Sequence, residues 1–195
     1  MTDLKNYHEL CLRTEADDHA MQSARILECN GILVNLLVSF CDTAGGLDVL
    51  KKHVYYGKPL SDRDKAIKDS IPGELDSVQR QRLSERIRLV HGIIGMITEC
   101  GELVDQLMNH IAAGEALDQV NILEECCDVD WYKNLCLDAA GYTAADVPTT
   151  LIPKLEVRYA KKQFNAKQAI ERDLSAERAS LEANATGDKE KTQGN

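Results

Sequence analysis

Proline and aromatic residues are scarce in this chain: four prolines, two phenylalanines and one tryptophan are spread over 195 residues. With few aromatic or β-branched runs there is little material for sheets, and with few prolines little to interrupt helices. Two further absences bear on location. The opening MTDLKNYHEL has no basic segment followed by an apolar core, as a secretory signal needs, and no run of about eighteen apolar residues occurs anywhere. The expectation is a cytoplasmic protein without a membrane partner. Excess positive charge is lacking as well. A net charge of −9 repels phosphate backbones and anionic lipids, which speaks against nucleic acid as a partner. The seven cysteines are odd in number and make no CxxC pair. They read as reduced core residues. Zinc ligation by Cys126 and Cys127 is disfavoured, because adjacent side chains project about 100° apart on a helix and no second pair stands at ligand spacing.

What is present is helical periodicity. Apolar residues recur at three- and four-residue steps over long stretches, which predicts an all-α helical bundle. A first helix is expected from about Leu4 to Phe40, stopped near Ala44-Gly45-Gly46, then a short one from Leu47 to Tyr55 and a turn at Tyr56–Leu60. Residues 61–75 read as a linker or short helix. The next helix runs from Ser77 to about Ala113, with Ile93, Ile97, Cys100, Val104, Leu107 and Ile111 as a stripe that faces a partner helix. Asp118 N-caps another that reaches Ala140, where Gly141 is a C-cap signal, so the two make an αα-hairpin. A capping box at Thr143–Asp146 opens a helix disturbed by Pro148 and Pro153. A last helix covers roughly Asn165–Leu181 with a break near Asp173. The domain reading is an N-terminal helical region (1–75), a catalytic helical domain (76–183) and a disordered tail (184–195).

A faint internal echo links residues 42–60 with 99–117 at an offset of 57. It pairs Asp48 with Asp105, Leu50 with Leu107, His53 with His110, Gly57 with Gly114 and Leu60 with Leu117. In the first copy Asp42 stands for Glu99 and Gly45 for Glu102. The echo suggests a degenerate half-repeat.

The residues that carry chemistry are Glu99-x-x-Glu102 on one helix and Glu125-x-x-Asp128 on the next. A three-residue step keeps each pair on one side of its helix, and antiparallel packing can bring the pairs together. Such a cluster repels itself unless a divalent cation joins it, and oxygen ligands favour Mg²⁺ or Mn²⁺. Glu99 and Glu102 lie about 120° and 180° from the centre of the Ile93–Ile111 stripe at about 100° per residue, which suits surface acids equally well. The second helix is apolar on almost every side and reads as buried, so Glu125 and Asp128 there require a partner.

From His91 to Glu182 the chain resembles the MazG-like branch of the all-α NTP pyrophosphohydrolases, whose signature is ExxE followed by ExxD. Here 22 residues separate the pairs. The flanks agree: His91-Gly92-Ile93, Thr98–Leu103, Glu124–Tyr132, Lys154-Leu155-x-x-Arg158-Tyr159, and Arg172-Asp173 with Ala176-Glu177-Arg178. The sequence departs at Cys126-Cys127, where Leu-Gly is usual, and at Leu151, where Asn is frequent. The resemblance implies hydrolysis of a nucleoside triphosphate to the monophosphate and diphosphate, with Mg²⁺ held by Glu99, Glu102, Glu125 and Asp128. Glu124 or Glu125 would accept the proton of the attacking water. Lys154 and Arg158 would clamp the pyrophosphate, or else form an ordinary solvated basic face. Trp131 would stack on the base, or else belong to the core. The resemblance also implies a homodimer or homotetramer. Two other classes compete: a catalytically silent helical interaction protein, and a hydrolase of another phosphorylated nucleotide such as an alarmone.

Overall fold

The computed structural model describes residues 4–16, 18–70 and 75–185. Among them the chain is all-helical, with ten helices and no strand. Contacts divide it into two compact units, one from Asn30 to Ala140 and one joining the residues up to Cys29 with those from Gly141 onward. The expected tail from 184 lies almost wholly outside the described residues, as does Ile71-Pro72-Gly73.

The central unit holds α3 (Asn30–Tyr56), α4 (Asp62–Ser70), α5 (Ser77–Glu85), α6 (Ile87–Ala113) and α7 (Gln119–Ala139), following α1 (Leu4–Leu12) and α2 (His19–Glu28) of the other unit. Helix α6 packs against α7 on one side and α3 on another. The expected first helix is therefore three helices, and α3 does not stop at Gly45-Gly46 but passes through them. Each helical glycine costs about 1 kcal/mol relative to alanine. Here α3 is held to α6 by the contact of Ala44 with Gly101 and by the ion pair of Lys51 with Glu99. The helix expected from Ser77 is also divided, at Arg86, and α5 starts with a capping box between Asp76 and Gln79.

Two expectations about faces are reversed. The stripe expected to meet a partner helix leaves Ile93, Leu107 and Ile111 exposed, whereas Gly92, Gly95, Thr98, Glu99 and Gly101 of α6 are buried. Glycines decide this. A Cβ on Gly95 would lie 2.1 Å from Tyr132 Cδ1, one on Gly92 2.4 Å from Cys136 Sγ, and one on Gly101 2.5 Å from the Ala44 Cβ. Close approach through glycine draws the small-residue face inward, against the larger apolar side chains. Helix α7 is not buried either: only Glu125 and Tyr132 are, while Leu123, Cys126, Cys127 and Trp131 are exposed. The seven cysteines are free, and three of them (Cys29, Cys126 and Cys127) are exposed rather than in a core. Helix α3 is long and apolar enough to cross a membrane by length and composition alone.

The offset of 57 reaches into three dimensions. Helices α3 and α6 are both 27 residues long and begin and end at equivalent positions. Both end in a left-handed glycine, Gly57 and Gly114, each at φ +70°. Equivalent histidines then close the cap, His53 donating from Nδ1 to the Lys58 carbonyl at 2.9 Å and His110 to the Glu115 carbonyl at 2.6 Å. Ala44 meets Gly101, its own equivalent, as residues do on the axis of an isologous pairing.

The terminal unit contains α1, α2, α8 (Asp146–Arg158), α9 (Ala166–Ile170) and α10 (Leu174–Asn184), with α8 packed on α10 and α1. Asp146 accepts from both the amide and the hydroxyl of Thr143, and α8 tolerates Pro153 in its interior. The break before α10 is present, where Asp173 N-caps by accepting from the Ala176 amide at 2.9 Å.

Candidate metal centre

The close face of α6 and the middle of α7 place three carboxylates together. Glu99, Glu102 and Glu125 each offer an oxygen within 4.8 Å of the others. Glu99 and Glu125 are only 6% and 4% exposed, so their charges are held out of water. Glu102 lies at the exposed edge. Burial, then the charges of Glu125, Glu99 and Asp48, raise its pKa against a smaller opposing effect of Lys52.

Glu125 is held from its own helix and from α6. Asn121 Nδ2 donates to its Oε1 at 2.7 Å, and Gln106 Nε2 donates to Asn121 Oδ1. Asp118 fixes this turn by capping the amides of Val120 and Asn121. The outer oxygen of Gln106 is buried with no partner among the described residues.

Glu99 is held by α3. Lys51, 4% exposed, donates to Glu99 Oε1 and to Thr98 Oγ1, each at 2.7 Å. The Thr98 hydroxyl passes its own proton toward the Gly95 carbonyl at 2.8 Å. Burial alone would lower the lysine pKa, but the hydrogen bond and charge of Glu99, helped by Tyr132, raise it above the ordinary value. Asp48 stands 3.4 Å from Lys51 Nζ and also pairs with Lys52.

Beside the acids is an open cleft of about 420 Å³. Its walls include four equivalent pairs from the two long helices, Cys41 and Thr98, Ala44 and Gly101, Gly45 and Glu102, Asp48 and Asp105, and are completed by Gln106, Asn109 and, from α7, Asn121. The Cys41 thiol is pushed up to about 11, first by burial and then by a hydrogen bond with Asp105.

An aromatic group lies on the same helices. Tyr55 stacks on His91 at 3.8 Å between centroids, and Trp131 meets His91 edge-on at 6.2 Å and Tyr132 at 4.8 Å. Burial, and then the Lys51 charge, lower the His91 pKa. Trp131 is 56% exposed and is not a core residue.

The remaining expected site residues are placed as follows. Asp128 and Glu124 are exposed on α7, and Asp128 lies outside the three-carboxylate group. Lys154 and Arg158 belong to the terminal unit. There Arg158 donates to both oxygens of buried Glu177, at 2.9 and 2.8 Å, and Arg172 does the same at 3.0 and 2.6 Å. These bonds and charges hold the Glu177 carboxyl far below the usual range. Sequence reasoning missed Lys51, Thr98, Asp48, Asn121 and Gln106. The signal available for Lys51 was a Lys51-Lys52 pair on a largely apolar helix whose equivalent positions keep one acid of the two, Asp42, and have Gly45 for the other.

The donor set suits a hard divalent cation. Its oxygens are all carboxylate, and three carboxylates against one buried ammonium leave two negative charges to be matched. No family model, curated protein or solved structure matches the chain.

Proposed function

We propose that this protein is a Mg²⁺-dependent nucleoside triphosphate pyrophosphohydrolase, acting through Glu99, Glu102 and Glu125. The observation that carries the reading is the meeting of three carboxylate oxygens within 4.8 Å, from the two helices that bear the ExxE and ExxD pairs. Asp128 enters as a fourth ligand through the motif resemblance alone. When bound, Mg²⁺ (with Mn²⁺ as a substitute) supplies positive charge against the phosphates and acidifies a water ligand.

The chain's own residues do the rest. Lys51 and Asn121 fix the buried carboxylates, so orientation is set before substrate arrives. Glu125, or Glu124 beside it, takes the proton of the attacking water. Trp131 is six residues from Glu125 on α7, about 9 Å along the axis at 1.5 Å per residue. An exposed indole at that distance can stack on the base of a nucleotide whose phosphates lie at the carboxylates. Lys154 and Arg158 enter as the pyrophosphate clamp through the motif resemblance alone; Arg158 Nε and Nη2 donate to Glu177.

Apolar residues of α3 and α7, including Ile32, Leu36, Val38, Leu123 and Trp131, are exposed. A second copy of the chain covers part of this surface in our reading, giving a homodimer or homotetramer. The same surface favours the alternative of a silent helical interaction protein. The deciding experiment is a screen of all common NTPs and dNTPs, and of nucleotide alarmones, with Mg²⁺ and pyrophosphate detection in ¹⁸O-labelled water. Label in the monophosphate supports attack at the α phosphorus. Release of inorganic phosphate, or no turnover of any nucleotide, refutes it.

A further inference from the structure

The carboxylate cluster already contains a cation. Lysine is rarely buried unless paired, and Lys51 is 4% exposed with its Nζ donors directed at Glu99 Oε1 and Thr98 Oγ1 at 2.7 Å. Asp48 Oδ1 stands 3.4 Å away and the Tyr132 ring centroid 5.0 Å away. Two of its N–H groups therefore have acceptors, and an ion pair and a ring face complete the surroundings. Withdrawal of the side chain would leave Glu99 buried and uncompensated.

We propose that the Lys51 ammonium is a resident cation of the Glu99–Glu102–Glu125 cluster, so that the protein binds one divalent ion per chain and keeps its fold without it. The proposal rests on reading the cluster as a metal centre and specifies its stoichiometry. Two facts support it. Glu99 Oε1 already accepts from an ammonium at 2.7 Å, and that positive charge repels a second divalent ion brought to the same carboxylates. Three carboxylates and one ammonium leave a charge of −2, which one divalent cation neutralises.

The α3–α6 equivalence shows the same division. Where α6 has Glu99 and Glu102, α3 has Asp42 and Gly45; where α3 has Lys51, α6 has Met108. Of the two equivalent helices, α6 supplies the two clustered acids Glu99 and Glu102, and α3 supplies the cation buried against Glu99. Lys52 does not share the role, since it is directed to Asp48.

The test uses the full chain, stripped with EDTA and titrated with Mn²⁺ alone. Free Mn²⁺ is followed by electron paramagnetic resonance and melting by circular dichroism. Wild type is expected to bind one ion per chain. In Lys51→Met the melting temperature in EDTA falls, and saturating Mn²⁺ raises it by at least twice the increment seen in wild type. Two ions per wild-type chain would overturn the proposal while sparing the metal centre; no binding at all would overturn both. A folded Lys51→Met variant with the wild-type response to Mn²⁺ would also overturn it. If that variant does not fold in EDTA, the wild-type stoichiometry decides: one ion supports the proposal and two refute it.

Discussion

Replacing Gly95 by alanine puts a single methyl group where the α6–α7 packing is tightest. That carbon would lie 2.1–2.3 Å from Cδ1, Cε1 and Cγ of Tyr132, whereas unstrained carbon contacts begin near about 3.5 Å. Because Cγ is next to the Tyr132 backbone, the ring cannot simply swing its far end aside. It must change rotamer or push α7 outward. Overpacking of this kind costs about 1–3 kcal/mol. Displacing the ring also weakens its hydrogen bond to the Tyr56 hydroxyl at 3.3 Å and its edge contacts with His91 and Trp131. Alanine returns about 1 kcal/mol of helix propensity. The expected net loss is about 2 kcal/mol, which lowers the melting temperature by roughly 10 °C for a domain of this size. Gly46→Ala in α3 is the control, since a Cβ there meets nothing within 4 Å; it should stabilise by about 0.4–1 kcal/mol. Urea titrations and thermal melts by circular dichroism read both. Opposite signs are expected, and in a Tyr132→Ala background Gly95→Ala should lose its penalty. A Gly95→Ala protein as stable as wild type would refute glycine-mediated packing of α6 on α7.

Glu125→Gln should weaken Mn²⁺ binding at least tenfold while leaving the helical signal unchanged, and Asp128→Asn should weaken it less, because Asp128 lies outside the close group; equal losses measured by calorimetry would argue for a four-carboxylate centre. Glu177 has a lowered carboxyl pKa in the folded state, so its stabilising effect is complete above the ordinary value of 4.5 and is lost as pH falls below it. Melting temperature should therefore fall progressively from about pH 5 downward, still falling below pH ~3, and Glu177→Gln should remove this group's share of that dependence at a cost of about 3 kcal/mol at neutral pH. Trp131 is the sole tryptophan, so intrinsic fluorescence reports on it alone. Added nucleotide should quench it in the presence of Mg²⁺, and an unchanged spectrum at saturating substrate would rule out stacking. Ile32→Glu should shift the sedimentation coefficient toward that of a monomer, and no shift would exclude this part of α3 from the contact between copies.

The all-helical class, the Asp118 cap, the Gly57, Gly114 and Gly141 ends and the break before α10 were legible because they depend on local chemistry. Which face of α6 turns inward was not. Apolar periodicity selected Ile93, Leu107 and Ile111, but the helices approach through Gly92, Gly95 and Gly101, and periodicity gives no weight to a missing side chain. The same blindness hid Lys51. A lysine reads as solvent-facing in any sequence pattern, and only the crossing of α3 over α6 brings it within 2.7 Å of Glu99. Carboxylates were readable as a pair of pairs, whereas the exposure of Asp128 and the occupation of Arg158 by Glu177 depend on tertiary placement.

The matched helices α3 and α6 meet as two identical subunits would across a dyad, yet each is encoded in its own stretch of gene. In a true dyad every substitution appears twice, so an acid gained on one helix is gained on both, and so is the lysine that faces it. Separate encoding removes that constraint. Ala44 can pack against Gly101, Gly45 can leave space beside Glu102, and Lys51 can be basic while Met108 stays apolar. A site made of unlike halves, with anions on one helix and their counter-charge on its twin, is open to a tandem arrangement and closed to a strictly symmetric one.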